Sequence, residues 1–261
     1  MIGGIIYVWI DALINYLSGT GYGTDPAWEN IWNSKTEKIH VIGKNVWKFH
    51  AVYWPALLLA AGLPLPDKIF VHGFLTIDGR KISKSPGNTV DPFDCIEQFG
   101  SDTLRFYLLG EVSPVQDGDF TFTKLKTLYN SRFANGIGNL VSRITTLCRR
   151  KNRQIQFFGP LQQLPAEYGS YLENFQFDKA LNYTWKRLDA LNQDIDRIKP
   201  RELLKNDPED FLTPPLQEWM TGLHTFIHLI SPFLPDTAER IGKRLTTADT
   251  EKEELLFPRM R

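Results

Sequence analysis

Cysteine is nearly absent from this chain. Two residues, Cys95 and Cys148, stand among 261. Two thiols cannot build a four-cysteine zinc site or a disulfide framework, so no metal site is expected and a reducing compartment is the simplest one. Net charge is absent too. Thirty basic residues balance thirty acidic ones, so the molecule as a whole does not advertise a nucleic-acid partner and only local charge can point to one. No hydrophobic run is long. The apolar start, Met1 to Trp9, is too short to cross a bilayer, and it has no basic lead and no small-residue cleavage site before Asp11. Neither a signal peptide nor a membrane span is predicted, and the expectation is a cytoplasmic protein with no membrane partner. No internal repeat or low-complexity tract is found. What is left is an ordinary globular composition, 42% hydrophobic and 23% charged, in a chain long enough for one large or two ordinary domains.

The first third of the chain alternates strand-like and helix-like stretches. Ile5 to Trp9 is a continuous β-branched and aromatic run, which predicts a strand buried on both faces. Asp11 stands as a helix N-cap before Ala12, Leu13 and Tyr16. Lys38 to Gly43 and Lys68 to His72 predict two more strands. Between them, Val46 to Ala61 predicts a helix kinked at Pro55. This alternation argues a parallel sheet covered by helices, with ligands at the carboxyl ends of its strands, where Trp9, Gly43 and His72 fall. Val46, His50 and Trp54 follow one another at intervals of four and share a helix face. Such a stripe suits either core packing around a satisfied histidine or an apolar pocket with one polar tip.

A hairpin follows. Phe74 to Ile77 and Arg80 to Ile82 flank Asp78-Gly79, a strong two-residue turn signal. Beyond it lie Lys81, Ser83, Lys84, Ser85, Pro86 and Gly87, with no apolar period, so a loop is predicted. Two ammonium groups in a loop of small residues suit a polyphosphate, or they form a solvated basic turn. Short helices are predicted near Phe93 to Gln98 and Asp102 to Leu109, and an acidic loop from Ser113 to Phe122.

The composition then shifts. No Asp or Glu lies between Asp119 and Glu167, while Lys124, Lys126, Arg132, Arg143, Arg149, Arg150, Lys151 and Arg153 accumulate. A helical segment of this kind carries either a phosphate-binding face or a solvated one. Asn135, Asn139 and Arg143 are again four apart and are predicted to project together. Glu173 to Ile198, Pro215 to Ile230 and Asp236 to Leu245 carry helical apolar spacing and predict an antiparallel bundle.

Lys81-Ile82-Ser83-Lys84-Ser85 resembles the Lys-Met-Ser-Lys-Ser signature of class I aminoacyl-tRNA synthetases, with Ile82 in place of Met. Asp78-Gly79-Arg80 before it and Pro86-Gly87-Asn88 after it agree. The surrounding chain, from about Ile5 onward, is similar to methionyl-tRNA synthetases. The resemblance implies α/β followed by all-α: the second half of a Rossmann-type parallel sheet (1–91), a connective segment against the tRNA stem (92–122) and an α-helical anticodon-binding bundle (123–261). It implies ATP with Mg2+ as substrate. Lys81 and Lys84 would be catalytic, and Gly43, Asn45, His72, Gly73, Lys81, Ser83, Lys84 and Ser85 would bind ATP. Trp9, Ala12, Leu13, Tyr16, Val46, His50 and Trp54 would form the methionine pocket, where an aromatic lining suits a thioether. Asn139, Arg143 and Arg201 would read the anticodon of methionine tRNA, single-stranded loop bases being the usual target of RNA-reading side chains.

Three departures from the family pattern stand in the sequence. Asn45 replaces the usual Asp after Gly43-Lys44, keeping an acceptor oxygen and losing the charge. Arg201 replaces the usual Trp after Pro200, exchanging an indole for a guanidinium plane. No His-x-Gly-His occurs. The implied function is a methionine–tRNA ligase in truncated form or its C-terminal half, with a separate N-terminal half as a partner. The other implied reading is a non-catalytic tRNA-binding module or a degenerate remnant.

Overall fold

The structure is a computed structural model that describes residues 8–82, 88–150, 161, 163–203, 212–246 and 255–260, without the side chains of Arg201 and Thr246. The chain falls into two compact units. One comprises Met1–Phe74 with Val115–Asp117, and the other Leu75–Pro114 with Gly118–Arg261.

In the first unit, helix α1 (Val8–Ser18) buries Leu13 and Leu17, one turn apart. Val8 and Trp9 are therefore helical, against the strand expected over Ile5 to Trp9; residues 5–7 lie outside the described ones. Asp11 falls inside the first turn rather than before it. An acidic residue in that turn suits the positive end of the helix dipole. Strand β1 (Ile39–Gly43) pairs in parallel with β2 (Lys68–His72), Ile39 opposite Lys68 and Gly43 opposite His72. Along β1 burial alternates: His40 and Ile42 are buried, while Ile39 and Val41 are 41% and 62% exposed. The helix between the strands is continuous through Pro55 but deformed before it: a π-turn, Phe49–Tyr53, runs directly into α2 (Trp54–Ala60). Proline has no N–H for the carbonyl four residues back. The turn before it widens, and Trp54 N–H reaches Phe49 O. Leu13, Leu17, Trp32, Trp54 and Leu58 form the core of this unit.

The second unit opens with the hairpin. β3 (Leu75–Ile77) and β4 (Arg80–Lys81) are antiparallel, with Ile77 opposite Arg80. Asp78 and Gly79 take φ of 50° and 71°, the left-handed pair that a two-residue hairpin turn requires. The acidic stretch expected as pure loop contains a strand, β5 (Gly118–Phe120), parallel to β3. Its buried Phe120 packs edge-on against Tyr107. Alternation is too short in three residues to show in sequence.

Helices make up the rest. α3 (Pro92–Phe99) is capped by Asp91, whose side chain accepts from Phe93 N–H at 2.8 Å. α4 (Ser101–Phe106) follows. α5 (Phe122–Leu128) runs through a π-helical stretch, Tyr129–Gly138, into α6 (Asn139–Arg150). The helix expected over Glu173 to Ile198 is present as α8 (Phe177–Ile198), and an unexpected α7 (Ala166–Glu173) precedes it, the two parted where Phe175 takes φ of 56°. α8 ends on left-handed Lys199 before the short α9 (Pro200–Leu203). α10 (Thr213–Ile230) and α11 (Pro235–Thr246) complete the bundle. Its core runs through Phe133, Ile137, Leu140 and Ile144 of the basic segment, Leu181 and Trp185 of α8, and Trp219 and Phe226 of α10. The fold is thus mixed α/β with a predominance of helix. Among the described residues no helix is long and apolar enough to cross a membrane.

Candidate functional site

The His50 stripe closes into an aromatic box in the first unit. Trp54 is 1% exposed and His50 4%. Tyr16, arriving from α1, places its hydroxyl 2.8 Å from His50 Nε2. The other ring nitrogen lies 2.9 Å from the Val46 carbonyl. A carbonyl only accepts, so Nδ1 carries a proton, and Nε2 is left to meet the Tyr16 hydroxyl. Val46 thus enters through its backbone, as the anchor that orients the imidazole. Trp9 stacks on Phe49, centroids 4.2 Å apart and planes 9° apart. Ala12 is exposed and Leu13 sits in the core.

Two members of this box have no counterpart in the sequence reading. His40 of β1 accepts from Trp54 Nε1–H at 3.1 Å, and Trp32 packs edge-on to Trp54 at 5.8 Å. The signal for His40 was its place beside Ile42 in the period-two pattern of β1, which turns it inward. Burial, and secondarily the neighbouring His50, hold His40 below the ordinary imidazole value of 6.5. Its folded-state pKa is lower than its unfolded one, so the unfolded chain takes up the proton first. Stability contributed by neutral His40 is full above about pH 6.5 and is lost as pH falls below it. Denaturant midpoints at pH 7.5 and 5.5 should therefore differ, and His40→Gln should shrink that difference; an unchanged pH dependence in the variant would rule His40 out as its source. His228 on α10 is lowered in the same direction, by burial and then by His224, so a residual pH dependence is expected in His40→Gln.

At the carboxyl ends of β1 and β2, Gly43 and His72 face each other. A Cβ on Gly43 would lie 2.9 Å from Asn45 Oδ1 and 3.6 Å from His72 Cε1. His72 Nδ1 donates to the Gly73 carbonyl at 2.9 Å, which turns Nε2 toward Gly43. Gly73 admits no side chain, since a Cβ would fall 2.0 Å from the Gln116 carbonyl oxygen. Asn45 is exposed. Asp117 fixes this corner, accepting from Phe74 N–H at 2.7 Å and pairing with Lys44 at 2.5 Å. The Lys44 hydrogen bond, then that of Phe74, holds its carboxyl below the usual range.

In the second unit Lys81 is exposed on β4. Ser83, Lys84 and Ser85 lie outside the described residues. The far side of the loop is tied down by Asn88, whose Nδ2 approaches the carbonyls of Ile77, Arg80 and Lys81 at 3.5, 3.4 and 3.3 Å.

On the basic helix Arg143 donates to Asp196 of α8 at 2.6 Å. A cavity of about 340 Å³ opens beside the pair, lined by Asn139, Arg143, Arg150, Lys199, Pro200 and Glu202 among others. The sequence reading missed Lys199, which the left-handed end of α8 brings to this cavity. The backbone of Arg201 lies in α9, next to Pro200. Asn135 does not join the stripe as expected. It lines a second cavity of about 440 Å³, with Asn139, Arg244 and Phe257. Asn139 borders both cavities, so it still shares a face with Asn135; Asn135 and Arg143, two such steps apart and with the π-helical stretch to Gly138 between them, do not meet. Among the described residues no cluster of three metal-ligating side chains is found.

The family model "tRNA synthetases class I (M)" matches residues 3–145, more than half of the chain. The chain belongs to the class I tRNA synthetases. Within that class it is a methionyl-tRNA synthetase region covering only part of such a protein. The methionine–tRNA ligase of Fusobacterium nucleatum is 36% identical over 93% of this chain and 40% of its own length. That of Rhizobium meliloti is 39% identical over 91% and 48%. The crystal structure of Mycobacterium tuberculosis methionyl-tRNA synthetase bound by methionyl-adenylate superposes with a TM-score of 0.78 at 30% identity, covering 97% of this chain and 56% of that one. The chain therefore spans about half the length of the relatives it matches.

Proposed function

We propose that this chain supplies the methionine pocket, the triphosphate loop and the anticodon-binding helices of a methionine–tRNA ligase, which activates methionine with ATP and Mg2+ and transfers it to methionine tRNA. The observation that carries the reading is the box around His50. An imidazole tip, oriented by Tyr16 and Val46 and set beside Trp54, with Trp9 stacked on the adjacent Phe49, suits an unbranched thioether side chain. Gly43, Asn45, His72 and Gly73 serve the nucleotide at the strand ends. Lys81 and Lys84, with Ser83 and Ser85, serve the triphosphate, whose redistributing charge the ammonium groups stabilise. Asn139, Arg143 and Arg201 read the anticodon. The division of labour follows a Rossmann-type half-domain over 1–91, a connective segment over 92–122 and an anticodon-binding bundle over 123–261.

The likeness to proteins about twice as long, the absence of His-x-Gly-His and the outward apolar face of β1 at Ile39 and Val41 all favour an N-terminal half as partner. Methionine-dependent ATP–pyrophosphate exchange is the test. Exchange is expected when an N-terminal half carrying His-x-Gly-His is added, and its absence both alone and with that half overturns the ligase reading. Asn45 and Arg201 favour the second reading, a tRNA-binding module without catalysis. It predicts no exchange but a shift of methionine tRNA in a gel at concentrations that leave other tRNAs free.

A further inference from the structure

Asp119 is the most heavily used carboxylate in the second unit. Its Oδ1 accepts from Gly79 N–H and from Thr76 Oγ1, each at 2.7 Å, and Oδ2 pairs with Lys124 at 3.2 Å. The Gly79 bond first, and the Thr76 bond next, hold its carboxyl below the usual range. In a two-residue hairpin the N–H of the second turn residue has no partner in the ladder and needs one from elsewhere. β5 provides partners for both turn residues: Phe120 O takes Asp78 N–H at 3.1 Å, and Asp119 takes that of Gly79.

The strand that presents this carboxylate is itself fixed. Phe120 is 3% exposed, and the Tyr107 hydroxyl donates to Asp119 O at 2.8 Å. Gly118 admits no Cβ, which would meet Val112 Cγ1 at 2.4 Å. The hairpin tip is thus clamped to β5 immediately before Lys81.

We infer that Asp119 is the positioning residue of Lys81, fixing the hairpin turn from which this lysine is presented opposite Thr76; this rests on reading Lys81 as a triphosphate-binding residue. Thr76, its register partner on β3, acts with it. Lys124 only decorates the exposed oxygen, and an exposed ion pair of this kind contributes little.

The experiment uses the full chain, with inorganic tripolyphosphate and Mg2+ as the probe and amide exchange as the second readout. Asp119→Ala should speed exchange over residues 76–82 by about tenfold or more, the scale of losing a hydrogen bond to a charged acceptor. Amides of α8 should stay protected. Tripolyphosphate affinity should fall by about tenfold. Asp119→Asn keeps an acceptor oxygen for Gly79 and should recover most of both, whereas Lys124→Ala should change neither by more than about twofold. If Asp119→Ala loses protection throughout, Asp119→Ser, too short to reach Gly79, takes its place. Unchanged exchange over 76–82 overturns the inference. So does faster exchange with unchanged tripolyphosphate affinity, which would make the clamp a stabilising feature of the hairpin alone. A wild-type chain that does not bind tripolyphosphate overturns the triphosphate reading, and the exchange comparison still decides whether Asp119 holds the turn.

Discussion

Replacing Trp54 by Ala is expected to cost about 3–5 kcal/mol, the range for truncating a fully buried large aromatic residue. Trp54 is 1% exposed and contacts Tyr16 and Trp32 in the small core of the first unit. Among the described residues that core is a cluster of five buried side chains, Leu13, Leu17, Trp32, Trp54 and Leu58. A small core leaves little margin, so the loss of one indole should unfold this unit. The substitution also strands His40, whose Nε2 loses the Trp54 donor inside the protein, a further cost of about 1–3 kcal/mol if nothing replaces it. Trp54→Phe separates the two effects, since it keeps most of the packing and removes only the N–H. Limited proteolysis reads the outcome. In Trp54→Ala, residues of the first unit should become cleavable while the helical unit, with its own core around Phe133, Trp185 and Phe226, survives. A resistant first unit in Trp54→Ala would show that its core is not built around this residue. Methionine affinity should fall in Trp54→Phe as well, because the indole is a wall of the proposed pocket.

The parts of this arrangement that sequence made legible share a physical property: their cause is local. β1 and β2 are short β-branched runs, and Asp78-Gly79 adopts the turn that its φ tolerance allows. The Val46, His50, Trp54 series shows because helical spacing is a short-range rule. What escaped depends on partners far along the chain. β5 exists because β3 is there to pair with, and three residues carry no pattern of their own. Asp117 and Asp119 looked like loop acids, yet one holds Phe74 N–H and the other Gly79 N–H, each about forty positions away. The π-helical stretch at Tyr129–Gly138 is invisible to a rule that assumes a constant 3.6 residues per turn, and it is what separates Asn135 from Arg143. At the amino end the apolar run of Ile5 to Trp9 satisfied a strand pattern, but Val8 and Trp9 are needed on α1, where Trp9 stacks on Phe49.

The second large effect is expected from Lys84, set against Arg143 as its counterpart. With the N-terminal half supplied, Lys84→Ala should lower methionine-dependent ATP–pyrophosphate exchange by about a hundredfold or more, the scale for removing one preorganised stabiliser of developing charge. It should leave tRNA affinity nearly unchanged, because an ammonium group of the proposed triphosphate loop has no part in the proposed anticodon reading. Arg143→Ala should do the reverse, weakening tRNA binding by about 1–3 kcal/mol, the usual worth of one base-reading contact, while exchange stays near normal. The structure adds a complication and its control. Arg143 is paired with Asp196, whose side chain is 69% exposed, so losing that pair should cost no more than about 1 kcal/mol of stability. Asp196→Ala breaks the same pair and leaves the guanidinium in place. If the role of Arg143 is to reach RNA, Asp196→Ala should keep most of the tRNA affinity that Arg143→Ala loses. Equal losses in the two variants would mean that the tie between α6 and α8 is what matters, and Arg143 would then be a strut of the bundle. Lys84→Ala combined with Arg143→Ala should lose both functions additively if the two sites act independently. An Arg143→Ala variant that damages exchange as severely as Lys84→Ala would overturn the separation of activation from anticodon reading.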